Sequence, residues 1–409
     1  MKTMNAIKVL HAHNYYLQPG GEDTAFNAEV ILLRNHGHTV VEYIENNRSI
    51  ASKNQINVAL QSIWSQDAYR RIKKVLREER PQVAHFHNTF PLISPAAYYA
   101  CHEENIPVIQ SLDNPRLLCP SANLYRNGKL CQDCLSKTPP WPSILHACYH
   151  GSHLQTAVVA FMLTFHRWRG TWTRQVDYYL VATEFYRRKF IEGGLPAERI
   201  VVKPHFVHPD PGIRSEEKIG DYALFIGRLD PEKGIPTLLE AWKLLRHIPL
   251  KIRGDGQLEK EAKEFIRSNQ LDSVELVQRL SRDGLTALIK NARFLVWPSN
   301  GFYETFGYVA VDCFASGIPV IASDIGVMSE IVRNGVTGLL FTPGDPAALS
   351  EKVEWAWGHP DAIFEMGRDA RKEYELKYTA ERNYHMLMDI YQKAIEGANR
   401  NRYNAGQVV

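Results

Sequence analysis

Residues 297–330 read WPSNGFYETFGYVAVDCFASGIPVIASDIGVMSE, and the rest of the chain can be parsed outward from them. The apolar run 294–297 reads as a strand, a glycine-containing loop follows, a helix starts near Gly307, and 319–322 reads as the next strand. The loop carries Glu304 and Thr305; the helix carries Tyr308 and Asp312. Phe306-Gly307 places a residue without a Cβ where backbone amides can approach a ligand. First-turn amides have no intrahelical acceptor, so they are available to an anion. Glu304 and Asp312 are separated by a stretch that spans roughly 12 Å at helical rise, enough to hold two polar ends of one ligand. On spacing alone, an ordinary strand-loop-helix with two solvated acids reads the same way.

The wider pattern resembles glycosyltransferase family 4. Pro298-Ser299, Tyr303-Glu304-Thr305-Phe306-Gly307, Asp312 and Ala315-Ser316-Gly317-Ile318-Pro319-Val320-Ile321-Ala322 all fall at that family's spacing. The second mark is Gly227-Arg228-Leu229-Asp230-Pro231-Glu232-Lys233-Gly234, a turn with two cations at a strand's carboxyl end. The resemblance implies a retaining enzyme of the GT-B fold: α/β, two Rossmann-like domains facing each other across a cleft, the last helix crossing back to the first domain. It also implies a nucleotide-sugar donor, UDP- or GDP-linked. Glu304 then holds hydroxyls of the donor sugar, with Thr305, Phe306, Gly307 and Tyr308 beside it, and Asp312 holds the ribose. Asp312 departs from the family's glutamate by one methylene. Arg228 and Lys233 would neutralise a departing diphosphate, so the resemblance implies no catalytic metal.

The chain has 409 residues, enough for two or three domains with separate cores. A net charge of +3 gives no reason to expect nucleic acid as a partner. The first residues, MKTMNAIKVLHAHN, read as a first strand rather than a signal peptide, and no run approaches a membrane span, so the expected compartment is the cytoplasm.

Strands are expected at 7–11, 40–44, 83–87, 108–112 and 176–182, with helices at 22–35, 67–79 and 96–103. That alternation predicts a parallel sheet whose ligands sit beyond the strands' carboxyl ends. Gly20-Gly21, His87 and Asp113 all fall at such ends. Gly-Gly suits a phosphate or sugar site, though a plain turn would look alike, and a histidine at a strand end is more often structural than catalytic. Relatives carry His where this chain has Asp113, and the resemblance gives that position to the sugar's far hydroxyls. An ionised carboxylate accepts hydrogen bonds there but donates none.

Cys119, Cys131, Cys134 and Cys148 lie in an insert of about residues 116–150. Their Cys-x2-Cys core with flanking cysteines fits a structural zinc site, with labile disulfides or plain thiols as alternatives. Cys101 and Cys313 read as packing residues. Residues 153–174 mix aromatics with His166, Arg167, Arg169 and Arg174. Such a helix could lie against an anionic membrane at its inner face, or pack on the sheet with a solvated basic edge.

The linker is expected near 208–218, the second domain at 218–375, a last helix at 380–398 and a frayed tail beyond. In the second half, strands are expected at 222–226, 250–252, 274–277, 294–297, 319–322 and an edge strand at 338–341. Gln278 stands where relatives have Gly to hold the base, and His205 where they have Asn. Taken together, the expected activity is transfer of a hexose to a hydroxyl acceptor with retention. Two other readings stand beside it: a sugar-nucleotide epimerase of the same fold, and a degenerate nucleotide-sugar binder.

Overall fold

The computed structural model describes residues 6–18, 20–215, 220–300 and 304–406. The chain divides into two compact units. The first comprises residues 1–124, 132–204 and 383–409; the second comprises 125–131 and 205–382.

The first unit holds a six-stranded, all-parallel sheet. Its strands are β1 (Lys8–Tyr15), β2 (Thr39–Asn46), β3 (Val83–Phe86) and β4 (Val108–Ser111). A small antiparallel hairpin, β5 (Tyr125–Arg126) and β6 (Lys129–Leu130), follows before the sheet resumes with β7 (Tyr178–Val181) and β8 (Ile200–Val202). The spatial order is β2-β1-β3-β4-β7-β8, so the order reverses between β1 and β3. The short central strands β3 and β4 are buried along their whole length, as strands covered on both faces must be. The sheet's last strand was not expected from the sequence. Ile200–Val202 is only three residues long, too short to show a period.

The second unit repeats the plan. Its strands are β9 (Ala223–Ile226), β10 (Leu250–Arg253), β11 (Val274–Val277), β12 (Phe294–Trp297), β13 (Val320–Ser323) and β14 (Gly338–Phe341). They are ordered β11-β10-β9-β12-β13-β14, all parallel, with the reversal between β9 and β12 and β14 at an edge. Its core gathers Phe225, Trp242, Phe294, Leu349 and Val353, with the Trp242 indole N–H donating to the Ile248 carbonyl at 2.9 Å.

Two boundaries differ from expectation. The last helix runs Ala380–Gly406, so the backbone expected to fray stays helical for two further turns. Its residues from Asn383 onward group with the first unit. There Tyr384 stacks on His36 at 3.7 Å, and Leu387 and Ile390 are buried. Of the expected linker, residues 216–219 lie outside the described residues, as does Tyr303 of the central motif. No helix among the described residues is long and apolar enough to cross a membrane.

Candidate functional site

In a doubly wound sheet, the loops leaving the two strands on either side of the reversal diverge and open a crevice at the strands' carboxyl ends. In the second unit those strands are β9 and β12. The loop after β9 carries Arg228 to Gly234, and the loop after β12 carries Pro298 to Gly307. Two glycines let them meet. Gly234 has φ +76°, and a Cβ there would lie 1.9 Å from the Pro298 carbonyl oxygen. Gly307, at the head of the Tyr308–Ala315 helix, has φ +84°, and its Cβ would lie 2.1 Å from the Trp297 ring. Both positions need left-handed backbone and no side chain.

The approach brings Lys233 and Glu304 together. Lys233 Nζ donates to Glu304 Oε1 at 2.5 Å, and Ser299 Oγ donates to the same oxygen at 3.1 Å. The Trp297 indole N–H points at it from 3.5 Å. Burial alone would raise the Glu304 carboxyl. The Lys233 charge and these donors outweigh burial and hold it below the usual carboxylate range. Glu304 is therefore an ionised acid, held by Lys233 from one loop, Ser299 from the other and Trp297 at the end of β12.

Asp312 is in the opposite state. It lies on the helix behind Gly307, where burial pushes it up to about 7 and Arg282 offsets this only in part. One acid of the pair is firmly charged and the other is poised near neutrality. Phe306 is buried, and His205 lies across it, with its ring stacked on Tyr308 at 5.1 Å and edge-on to Phe306 at the same distance. Arg228 is not part of the Lys233–Glu304 contact. Its side chain is 58% exposed and is paired with Asp230 at 2.8 Å and Glu232 at 3.4 Å, both in its own turn. Gln278 lines a separate concavity of this unit with Leu229, Arg253, Gly254 and Asp255 at the ends of β10 and β11.

In the first unit the reversal lies between β1 and β3, and the expected residues gather there. Gly20 precedes the Gly21–Asn35 helix, and its N–H donates to Asp23 Oδ2 at 3.0 Å. His13, from β1, meets Asp23 Oδ1 at 2.7 Å. His87 follows β3, and its Nδ1 faces Asp113 Oδ2 at 3.3 Å. Burial would lower His87, but Asp113 and Glu29 overcome it and raise the imidazole to about 9, so it is a cation at neutral pH. Asp113 thus lines a pocket with Glu22, His87, Asn88, Asn114 and Arg116. Sequence reasoning set Asp113 against a bare sugar hydroxyl; the structure gives it a buried cationic partner. It also adds Glu22, which the sequence reading passed over. Burial, then the Asp113 charge, raise Glu22 to about 7, and Asn114 Nδ2 donates to it at 3.0 Å. The signal was present in the acidic pair following Gly-Gly, since such acids sit at a helix's positive end.

Behind His87 lies a fully buried set: His11, Glu29 and His85, with Lys203. Lys203 Nζ donates to Glu29 Oε1 at 2.5 Å, and this charge, with the histidines, keeps Glu29 ionised against burial. Glu29 Oε2 is 3.4 Å from His87 Nε2 but outside hydrogen-bonding alignment. His85 is satisfied by the Tyr391 hydroxyl at 2.8 Å and Ser111 at 2.9 Å. Among the described residues these three histidines and Glu29 form the one set that could share a metal ion. Lys203 already supplies the countercharge of the carboxylate.

The cysteines expected to hold zinc lie apart from that set. Cys119, Cys134 and Cys148, which belong to the first unit, do not form such a set. Cys119 Sγ lies 3.1 Å from Ser121 Oγ, and the buried Cys134 thiol is directed at the Pro140 carbonyl. Cys131 ends the segment that groups with the second unit. Cys101 and Cys313 are buried packing residues.

Residues 210–373 match the family described as Glycosyl transferases group 1. An uncharacterized glycosyltransferase of Methanocaldococcus jannaschii is 34% identical over 42% of this chain and 49% of its own. A D-rhamnosyltransferase of Pseudomonas aeruginosa is 32% identical over 40% of this chain and 43% of its own. The chain spans about half the length of the curated relatives it matches. Among solved structures, a glycosyltransferase from Rickettsia africae superposes with TM-score 0.68 at 17% identity, covering 96% of this chain and 99% of that one. HepE of Anabaena, in complex with UDP-glucose, superposes with TM-score 0.65 at 16% identity, covering 95% and 100%. These likenesses show the fold, which is that of the GT-B glycosyltransferases.

Proposed function

We propose that the chain is a retaining glycosyltransferase that moves a hexose from a nucleoside-diphosphate donor to a hydroxyl acceptor. The observation that carries this reading is the Lys233–Glu304 pair, with Ser299 and Trp297, at the reversal of the second sheet and within the segment that matches Glycosyl transferases group 1. A pre-ionised carboxylate in a buried setting accepts sugar hydroxyls without reorganising. The adjacent ammonium is the natural countercharge for phosphate oxygens as the glycosidic bond to the diphosphate breaks. Arg228 exchanges its turn acids, Asp230 and Glu232, for the same anion, and the amides at the head of the Tyr308–Ala315 helix add to it. This reading requires no metal. It also requires no covalent nucleophile: the leaving phosphate accepts the acceptor's proton while the new bond forms on the same face. The UDP-glucose complex of the Anabaena protein supports a nucleotide-sugar donor, and the Gln278 concavity offers room for the base.

The test is a thermal-shift screen of UDP- and GDP-linked hexoses, since a specific ligand stabilises with the logarithm of its concentration over Kd. One donor family is expected to raise the melting temperature in the parent and much less in Lys233→Ala. Incubation with that donor alone is expected to release free sugar slowly and to form no epimer. An epimerised donor, or no shift with any nucleotide sugar, overturns the reading.

A further inference from the structure

Half of the exposed large apolar side chains among the described residues fall on three neighbouring helices of the first unit. On the His153–Trp168 helix they are Leu154, Phe161 and Trp168, with exposures of 77%, 57% and 81%. Their spacing of seven residues puts them on one stripe, because seven residues come within about 20° of two full turns. The opposite face of that helix is buried through Val159, Met162, Leu163 and His166. The Gln55–Ile63 helix packs against it and exposes Ile56 and Leu60; the Trp141–Leu145 helix also packs against it and exposes Trp141 and Leu145. Two of the basic side chains expected to form a solvated edge are engaged within the unit. Arg167 donates to the carbonyls of Lys137 and Leu117 and to Thr138 Oγ1, and Arg169 lies over the Trp64 and Tyr99 rings. Beyond His153 and Gln155 in its first turn, the exposed side chains of this helix are apolar.

The two stretches that supply these helices carry charge of one sign. No Asp or Glu occurs in residues 134–176, which contain Lys137, Arg167, Arg169 and Arg174; none occurs in residues 46–66, which contain Arg48 and Lys53. Arg48, Lys137 and Arg174 are exposed. In a chain whose acids and bases nearly balance, two separate stretches free of acids on packed helices mark one surface. A protein partner with an apolar patch would tolerate acids at the rim. Helices that show apolar side chains to water, carry Trp141 and Trp168, and are built from stretches with bases but no acids fit the boundary between anionic headgroups and acyl chains.

We infer that this face of the first unit docks on an anionic lipid bilayer, with Phe161 and Trp168 entering the headgroup boundary and Lys137 and Arg174 over the phosphates. The inference is independent of the donor site, which lies in the other unit. Its test is sedimentation of the full chain with vesicles of phosphatidylcholine alone and of phosphatidylcholine with about one-third phosphatidylglycerol. Binding to the anionic vesicles is expected to be at least roughly tenfold tighter and to weaken with salt. Phe161→Ser with Trp168→Ser is expected to weaken it by roughly tenfold or more, the effect of withdrawing two aromatic side chains from an apolar phase. Lys137→Gln with Arg174→Gln is expected to remove the preference for anionic lipid. Unchanged thermal unfolding and an unchanged nucleotide shift show that each variant is folded, and Leu154→Gln provides a milder probe should the double serine variant fail to fold. The inference is overturned by absence of binding to either vesicle, by equal binding of parent and aromatic variant, or by light scattering that shows a dimer which the aromatic variant dissociates.

Discussion

Replacing Asp312 with Asn removes an acid that the fold holds in an unfavourable place. Burial raises this carboxyl from its ordinary 3.8 to about 7. A raised carboxyl contributes stability that is fully present below the unfolded value and is lost as pH rises through the folded one. Across that window the loss is at most about 4 kcal/mol, at about 1.4 kcal/mol per pH unit, and about 2.5 kcal/mol of it falls between pH 5 and pH 8. Asparagine has nearly the same shape and stays neutral, so the variant is expected to gain that amount over the parent across the same range. The assay is urea unfolding of both proteins at several pH values. The transition to read is the one that UDP displaces, since two units need not unfold together. Subtracting parent from variant cancels every other titration. A difference that stays flat with pH refutes the reasoning, as does a variant less stable than the parent at pH 8. The same carboxylate gives a binding signature. Ribose hydroxyls donating to Asp312 favour its ionised form, so UDP affinity is expected to rise from pH 6 to pH 8 in the parent and to stay level in Asp312→Asn.

Lys233→Ala and Arg228→Ala are each expected to depress turnover by roughly 100-fold, as deletion of a transition-state charge partner does, with a smaller loss in donor affinity; retained turnover in either variant refutes its assignment. Gly307→Ala is expected to cost about 3 kcal/mol or more in thermal or urea unfolding, because φ +84° disfavours a side chain and the new Cβ would strike the Trp297 ring. Asp113→Asn removes a charge that holds His87 near 9; NMR titration is expected to show the imidazole several tenths of a pH unit lower or more, and an unmoved value refutes the pairing. In the parent, the stability due to His87 is present below pH 6.5 and lost as pH rises through about 9. Elemental analysis of protein purified without chelator tests the structural zinc proposed for Cys119, Cys131, Cys134 and Cys148: about one zinc per chain supports it, and no stoichiometric metal refutes it.

The second unit was legible from the sequence because its site is built from local pieces. The turn after β9 and the loop after β12 each carry their residues within a few positions, and the glycines that allow close approach can be read directly. Four-residue apolar strands alternating with helices imply a parallel sheet, and a parallel sheet puts functional loops at its carboxyl ends. What no linear pattern holds is the state of charge. Glu304 and Asp312 read as equivalent acids; only the position of Lys233 in space and the depth of the Tyr308–Ala315 helix make one firmly ionised and the other poised near 7. His87 and Asp113 are separated by a whole strand and helix, and their contact follows from β3 lying beside β4. The exposed stripe of Leu154, Phe161 and Trp168 was visible as composition, but which side of the helix faces the core is set by packing against the rest of the unit. Sequence determines which local structures and which chemical groups are available. Tertiary structure determines dielectric and distance, and on those two depend the charge of an acid and the destination of an apolar face.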